Sequence, residues 1–200
     1  LAWMKEKAAA IDAAIAGSIA VTQDGKYYNR FYFVKPDGEV TWYDKKHLFT
    51  YGGEHERFTA GTERVVVEWR GVRILLEICY DLRFPVWLRN NYKDGQFEYD
   101  LAILIANWPM QKSFVWNTLL SARAIENQAY YIGVNRVGID HNNIPYIGET
   151  KVVNGKGKTI AQIEGDKEDI LEFELDKESL DKFRGYFTVY NDWDKFEVLK

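Results

Sequence analysis

The sequence predicts an α/β layered sandwich, with helices outside two sheets, on three observations. Strand-like runs alternate with tight-turn signals such as Asp24-Gly25 and Pro36-Asp37-Gly38. Helical spacing is confined to a few segments, interleaved with strands early, while strands cluster late. Neither an internal repeat nor a linker interrupts the chain, so residues 1–200 read as one domain.

Residues 3–15 are rich in Ala and Lys with spaced apolar positions and predict an amphipathic helix. Strands are expected at 17–22, 27–34 and 39–43, each bounded by a turn signal. Residues 50–61 read as a loop. A strand pair at 64–70 and 72–78 turns at Arg70-Gly71, and its second run is apolar enough to be buried on both faces. A short helix should follow Pro85, a residue suited to an early helical position. Residues 100–106 predict another buried strand and 113–128 a helix, with Trp116, Leu119, Leu120, Arg123 and Asn127 at helical spacing and Ser113 as N-cap. A strand at 130–136 follows, then two or three more around the turn at 154–157. A charged tail closes the chain, with a short helix near 176–184.

Composition narrows the function classes. Hydrophobic residues make up 46% and charged residues 28% of the 200, ordinary for a globular protein. The net charge is −4 and no basic run stands out, which argues against nucleic acid as a partner. No apolar stretch is long enough to span a membrane and no signal peptide is visible, so a cytoplasmic location is expected. The single cysteine, Cys79, has no internal disulfide partner. Aromatic residues reach 16%, which fits bulky sandwich strands and a subunit interface, or alternatively a sugar-stacking surface.

The chemistry concentrates in ICYDLRFP, residues 78–85. A cysteine at the end of a buried strand, before a turn, faces the crevice where open α/β sheets bind ligands, and free backbone N–H groups there can hold an oxyanion. Position alone leaves two readings open: a thiol nucleophile, or a buried cysteine behaving as a small hydrophobe. A thiol attacks as thiolate and needs a cation or base. Lys45, Lys46 and His47 follow the third strand, and Glu54, His55 and Glu56 lie in the next loop, although side chains of these types are most often solvated. A zinc site from these residues is disfavoured, because HExxH and a cysteine pair are both missing. GxSxG, GxGxxG and Walker loops are absent from the sequence, and His141 reads as incidental.

Taken together, GSIAV, YYNRFYFV, YDKKHLF, GGEHERFTAG, ICYDLRFPVWLRN, ANWP, WNTLLSARAIENQAYYIGVNRVG and a late FRGYF resemble the nitrilase, or carbon–nitrogen hydrolase, superfamily. The likeness is greatest to its omega-amidase-like branch and runs through nearly the whole chain. It implies a four-layer αββα sandwich and hydrolysis of a linear amide, through a thioester on Cys79, to an acid and ammonia. The lysine of YxKxH corresponds to Lys45 rather than Lys46. The supporting acid, seven residues before the loop-closing Gly61, corresponds to Glu54. The resemblance also implies an oxyanion contact from the backbone N–H of Tyr80, and Asn107 and Trp108 at the pocket rim. No metal or organic cofactor is implied. The expected partners are a small-molecule amide and a second copy of the chain, as a homodimer or higher homo-oligomer, through the helix after the nucleophile and the later long helix.

The sequence departs from the family pattern in several places. The family's general-base glutamate lies in an N-terminal strand–helix–strand unit that these 200 residues do not contain, and the natural protein is expected to be longer. Glu77 stands where the amidase branch has a neutral amide side chain, and IGETK (147–151) and NGKG also differ. The alternative reading is a truncated or non-catalytic family member that binds a ligand or partner.

Overall fold

The computed structural model describes residues 1–198. Helix α1 (Ala2–Ile11) stops short of the expected residue 15, because Asp12 turns left-handed (φ 49°) and returns its N–H to the Ala8 carbonyl. Strands β1 (Ile15–Gln23), β2 (Lys26–Val34) and β3 (Val40–Asp44) form an antiparallel sheet in that order. Gln23 pairs with Lys26 across a two-residue turn, with Asp24 and Gly25 both at positive φ, the conformation that suits a tight hairpin. Period-2 alternation sorts the faces of β2. Phe31 and Phe33 enter the main core, whereas Tyr32 and Val34 pack with Met4 and Ala8 of α1.

The region expected to be a loop contains two short 3-10 turns, Thr50–Gly52 and Glu54–Glu56. Strands β4 (Val66–Trp69) and β5 (Val72–Ile78) follow, then a 3-10 turn at Cys79–Arg83 and the one-turn helix α2 (Pro85–Leu88). A hairpin that the pattern did not suggest, β6 (Tyr92–Lys93) and β7 (Gln96–Phe97), folds about Asp94-Gly95. Strand β8 (Leu101–Ala106), helix α3 (Ser113–Asn127) and strand β9 (Tyr130–Asn135) lie where expected. Ser113, however, is not the N-cap: Lys112 holds that position, and the Ser113 hydroxyl donates instead to Glu149 at 2.8 Å. Four strands rather than two or three come next: β10 (Val137–Ile139), β11 (Pro145–Ile147), β12 (Lys151–Val153) and β13 (Thr159–Gln162). Helix α4 (Lys177–Tyr186) ends the regular structure apart from a 3-10 turn at Val189–Asp192.

The second sheet runs β13-β12-β9-β8-β5-β4, with β5, β8 and β9 parallel at its centre. One buried cluster contains Phe31, Phe33 and Tyr43 of the first sheet, Leu75 and Leu76 of β5, and Trp116 and Leu120 of α3, so it runs along both faces of this sheet. Its outer face is covered by α3, and closely: a Cβ at Gly133 of β9 would lie 2.6 Å from both Leu120 and Trp116. The layers are therefore α1, sheet, sheet, α3, the αββα sandwich. In α4, the buried Arg184 of the FRGYF segment binds Asp100 at 2.7 Å and the carbonyls of Tyr99 and Gln128, tying the tail to this core. Among the described residues, no helix is long and apolar enough to cross a membrane.

Candidate active site

Three parallel strands ending side by side create the crevice. β5 runs into Cys79, β8 into Asn107 and β9 into Arg136, at the same edge of the sheet. A cavity of about 780 Å³ opens there, and all six residues singled out from the sequence line it: Lys45, Glu54, Cys79, Tyr80, Asn107 and Trp108.

Cys79 takes a positive φ of 47°, a conformation that costs a non-glycine residue about 1–3 kcal/mol and turns the chain sharply out of β5. Its half-buried thiol lies 3.8 Å from the Asn107 carbonyl. Burial pushes the thiol up from its ordinary value, more than Lys45 and the Asn107 contact pull it down. Tyr80, next in the 3-10 turn, has a backbone N–H with no partner inside the turn. Its ring packs edge-on against Phe49 and Phe84. Asn107 is exposed and meets the thiol through its carbonyl. Trp108 is buried, its amide held by Asn135 and its indole N–H by the Lys112 carbonyl.

Lys45 and Glu54 come together through their backbones. The glutamate's loop returns to Gly61, whose N–H donates to the Lys45 carbonyl at 2.9 Å. A Cβ at Gly61 would lie 2.1 Å from the Asp44 carbonyl oxygen, so only glycine fits this close approach. The Lys45 ammonium, 3% exposed, then donates to Glu54 at 2.7 Å. The same carboxylate accepts from the Phe49 N–H at 2.6 Å and from Asn29 of β2 at 3.2 Å. Burial alone would raise the Glu54 carboxyl. The Lys45 charge and these donors outweigh it and hold the group below its usual range.

Several participants were not singled out. Asn29 reaches Glu54 from 25 residues away, and nothing local marks it. Asp81, within the quoted ICYD segment, is fully buried and accepts from the Ile78 N–H, the His47 N–H and the Tyr43 hydroxyl. Its contact with His47 Nδ1 is 2.8 Å, and the imidazole stacks on Phe84 at 3.8 Å. Asp81 thus joins the segment carrying Lys45 to the turn carrying Cys79, the physical reason those two sequence signals belong together. His47 is engaged there, and no three His, Cys, Asp or Glu side chains gather into a metal-binding group among the described residues. Arg136 and Tyr146, contributed by β10, β11 and their flanks, also line the cavity.

The model of the family described as carbon-nitrogen hydrolase matches residues 1–184. An omega-amidase, YafV, of Yersinia enterocolitica is 48% identical over 98% of this chain and 75% of its own length. A 2-oxoglutaramate amidase of Bacillus subtilis is 33% identical over 95% of this chain and 72% of its own length. The crystal structure of XC1258 from Xanthomonas campestris, a CN-hydrolase superfamily protein, superposes with a TM-score of 0.96 at 40% identity. That match covers 98% of this chain and 75% of that one. On sequence and on fold, the chain belongs to the carbon–nitrogen hydrolase family.

Proposed function

We propose that the protein is a thiol-dependent amidase that hydrolyses a small linear amide to a carboxylic acid and ammonia. The observation that carries this reading is the buried Lys45–Glu54 pair lining the same cavity as the chain's single thiol. The omega-amidase and 2-oxoglutaramate amidase relatives support an amide as the bond cleaved.

Cys79 Sγ bonds to the amide carbon as its proton passes to a general base, and the carbonyl π electrons move onto oxygen. Lys45 Nζ and the Tyr80 N–H stabilise that oxyanion. Collapse of the intermediate breaks the C–N bond. Nitrogen takes the proton from the base and leaves as ammonia, with a thioester on Cys79. Water, deprotonated by the same base, attacks the thioester; the acid departs and sulfur recovers its proton. Glu54 is the one carboxylate among the described residues lining the cavity, and it is a poor base. Its ordinary value is depressed and its oxygens are occupied by Lys45, Phe49 and Asn29. Its role is to stay ionised and fix the Lys45 ammonium. Glu54 is therefore assigned the positioning role and not that of the base.

The test is ammonia release by the full-length protein. Cys79→Ala should abolish turnover, and iodoacetamide should label the wild type once, at Cys79. Lys45→Met should cost on the order of 10² to 10³ in rate, as for loss of an oxyanion donor. Lys46→Met, whose side chain lies over the Trp87 ring, should cost little. Unchanged turnover in Cys79→Ala, or equal effects at the two lysines, would overturn the assignment.

A further inference from the structure

Asn135, the last residue of β9, lines the cavity, yet its side-chain amide is spent on the chain itself. Its Oδ1 accepts from the Trp108 N–H at 2.7 Å, and its Nδ2 donates to the carbonyls of Trp108 at 3.0 Å and Gly148 at 2.8 Å. Both amide hydrogens are thereby used. Thr150 secures the backbone of the same residue: its hydroxyl accepts from the Asn135 N–H at 3.0 Å and donates to the Asn135 carbonyl at 3.2 Å.

The pairing extends the sheet by one step. The parallel ladder of β8 and β9 ends where Ala106 pairs with Asn135, and Trp108 lies beyond that last pair. There the Asn135 side chain meets both the N–H and the C=O of Trp108, as the facing residue of an antiparallel strand would. Pro109 follows, and a residue before proline is held extended.

The consequence falls on Cys79. The Trp108 N–H and the Asn107 carbonyl belong to one peptide unit, which is planar and trans, so the two point in opposite directions. Asn135 holds the N–H, and the carbonyl on the other side accepts from the Cys79 thiol at 3.8 Å. A thiol is a weak donor and cannot by itself hold a mobile peptide in place. The aim of Sγ therefore depends on a peptide that Asn135 pins from behind. We propose that Asn135 is a positioning residue for the hydrolysis: it locks the 107–108 peptide so that the Asn107 carbonyl keeps the Cys79 thiol aimed at the bound amide. This rests on the thiol-amidase reading above.

The test is the kinetics of ammonia release by the full-length protein, from whichever of butyramide and succinamate the wild type turns over faster. Asn135→Leu, close in size but unable to hydrogen-bond, should lower kcat by roughly 10- to 100-fold, the order of cost of misplacing a reacting group by about 1 Å. KM should stay near its wild-type value, because the Asn135 amide binds the chain and not the substrate. Thr150→Val is the control for lost stability alone. It removes the hydroxyl's bonds to the Asn135 backbone and leaves the side-chain amide on Trp108. Its kcat should stay near wild type even where its thermal midpoint falls. If Asn135→Leu fails to fold, Asn135→Ser, too short to span both Trp108 groups, takes its place with the same expectation. A wild-type kcat in the Asn135 variant, an effect confined to KM, or an equal loss of kcat in Thr150→Val overturns the positioning role and leaves the amidase. Ammonia from neither amide in the wild type removes the amidase reading, and the positioning role with it.

Discussion

Glu77 illustrates how one residue can break a family pattern without breaking the site. It is fully buried on β5, two residues before Cys79, where the family resemblance leads one to expect a neutral amide. Tyr131 donates to one carboxyl oxygen at 3.3 Å, and the other has no partner among the described residues. Burial first, and the charge of Asp81 second, push this carboxyl well above its usual range, against the pull of Arg64 and Arg123. A protonated carboxyl has nearly the shape and neutrality of the amide it replaces. The unfolded chain releases this proton near the ordinary carboxylate value, whereas the folded chain keeps it. Folding stability therefore falls as pH rises through the window between the ordinary and the raised values, by up to about 1.4 kcal/mol per pH unit. Glu77→Gln removes that penalty. Its denaturation midpoint should match wild type at acid pH and exceed it increasingly as pH rises. A difference that does not change with pH would refute the protonated-carboxyl account. The identity of this residue was plain in the sequence; the upward push on its carboxyl comes from the depth of burial and from Asp81, against the hydrogen bond from Tyr131, 54 positions away.

At the scale of elements, turn chemistry made most of the sandwich legible. Asp24-Gly25 and Arg70-Gly71 sit in two-residue turns with both φ values positive, and the strands on either side pair antiparallel across them. The hairpin β6–β7 escaped notice although Asp94-Gly95 carries the same signal, because two-residue strands are too short to show alternation. The ribbon β10–β11 escaped for a similar reason, and with it Arg136 and Tyr146. What joins the two candidate-site segments is Asp81. Its carboxylate reaches the turn after β5 and the segment after β3 together, and Asp81→Ala would leave several buried donors without an acceptor. That substitution should lower stability by about 3–5 kcal/mol in chemical denaturation, the cost of breaking a buried, fully hydrogen-bonded charge. A loss below about 1 kcal/mol would mean the two segments hold together without it.

At the scale of the whole molecule, the aromatic content divides between core and surface. Trp116, Tyr43, Tyr99, Tyr131 and Phe31 are among the largest fully buried side chains, whereas Trp3, Tyr51, Phe114 and Tyr186 are exposed. Apolar residues do remain exposed on the two helices expected to pair subunits: Val86 on α2, and Phe114 and Ile125 on α3. We predict a homodimer, or an assembly of dimers, for the full-length protein at micromolar concentration, measured by light scattering with mass determination. A monomer alone would contradict this. The sequence by itself determined most strands and helices, while the candidate nucleophile, lysine and supporting acid were named through the family resemblance that its contiguous motifs carry. Those features rest on local periodicity, turn chemistry and contiguous motifs that survive without knowledge of distant contacts. Only the tertiary structure decided that Lys45 and Glu54 share a buried ion pair steadied by Asn29, that Asp81 binds the Lys45 segment to the turn at Cys79, and that Arg136 lines the same cavity. Each of these depends on side chains far apart in the chain meeting where water is excluded, and there charge and hydrogen bonding are governed by neighbours that spacing along the sequence cannot reveal.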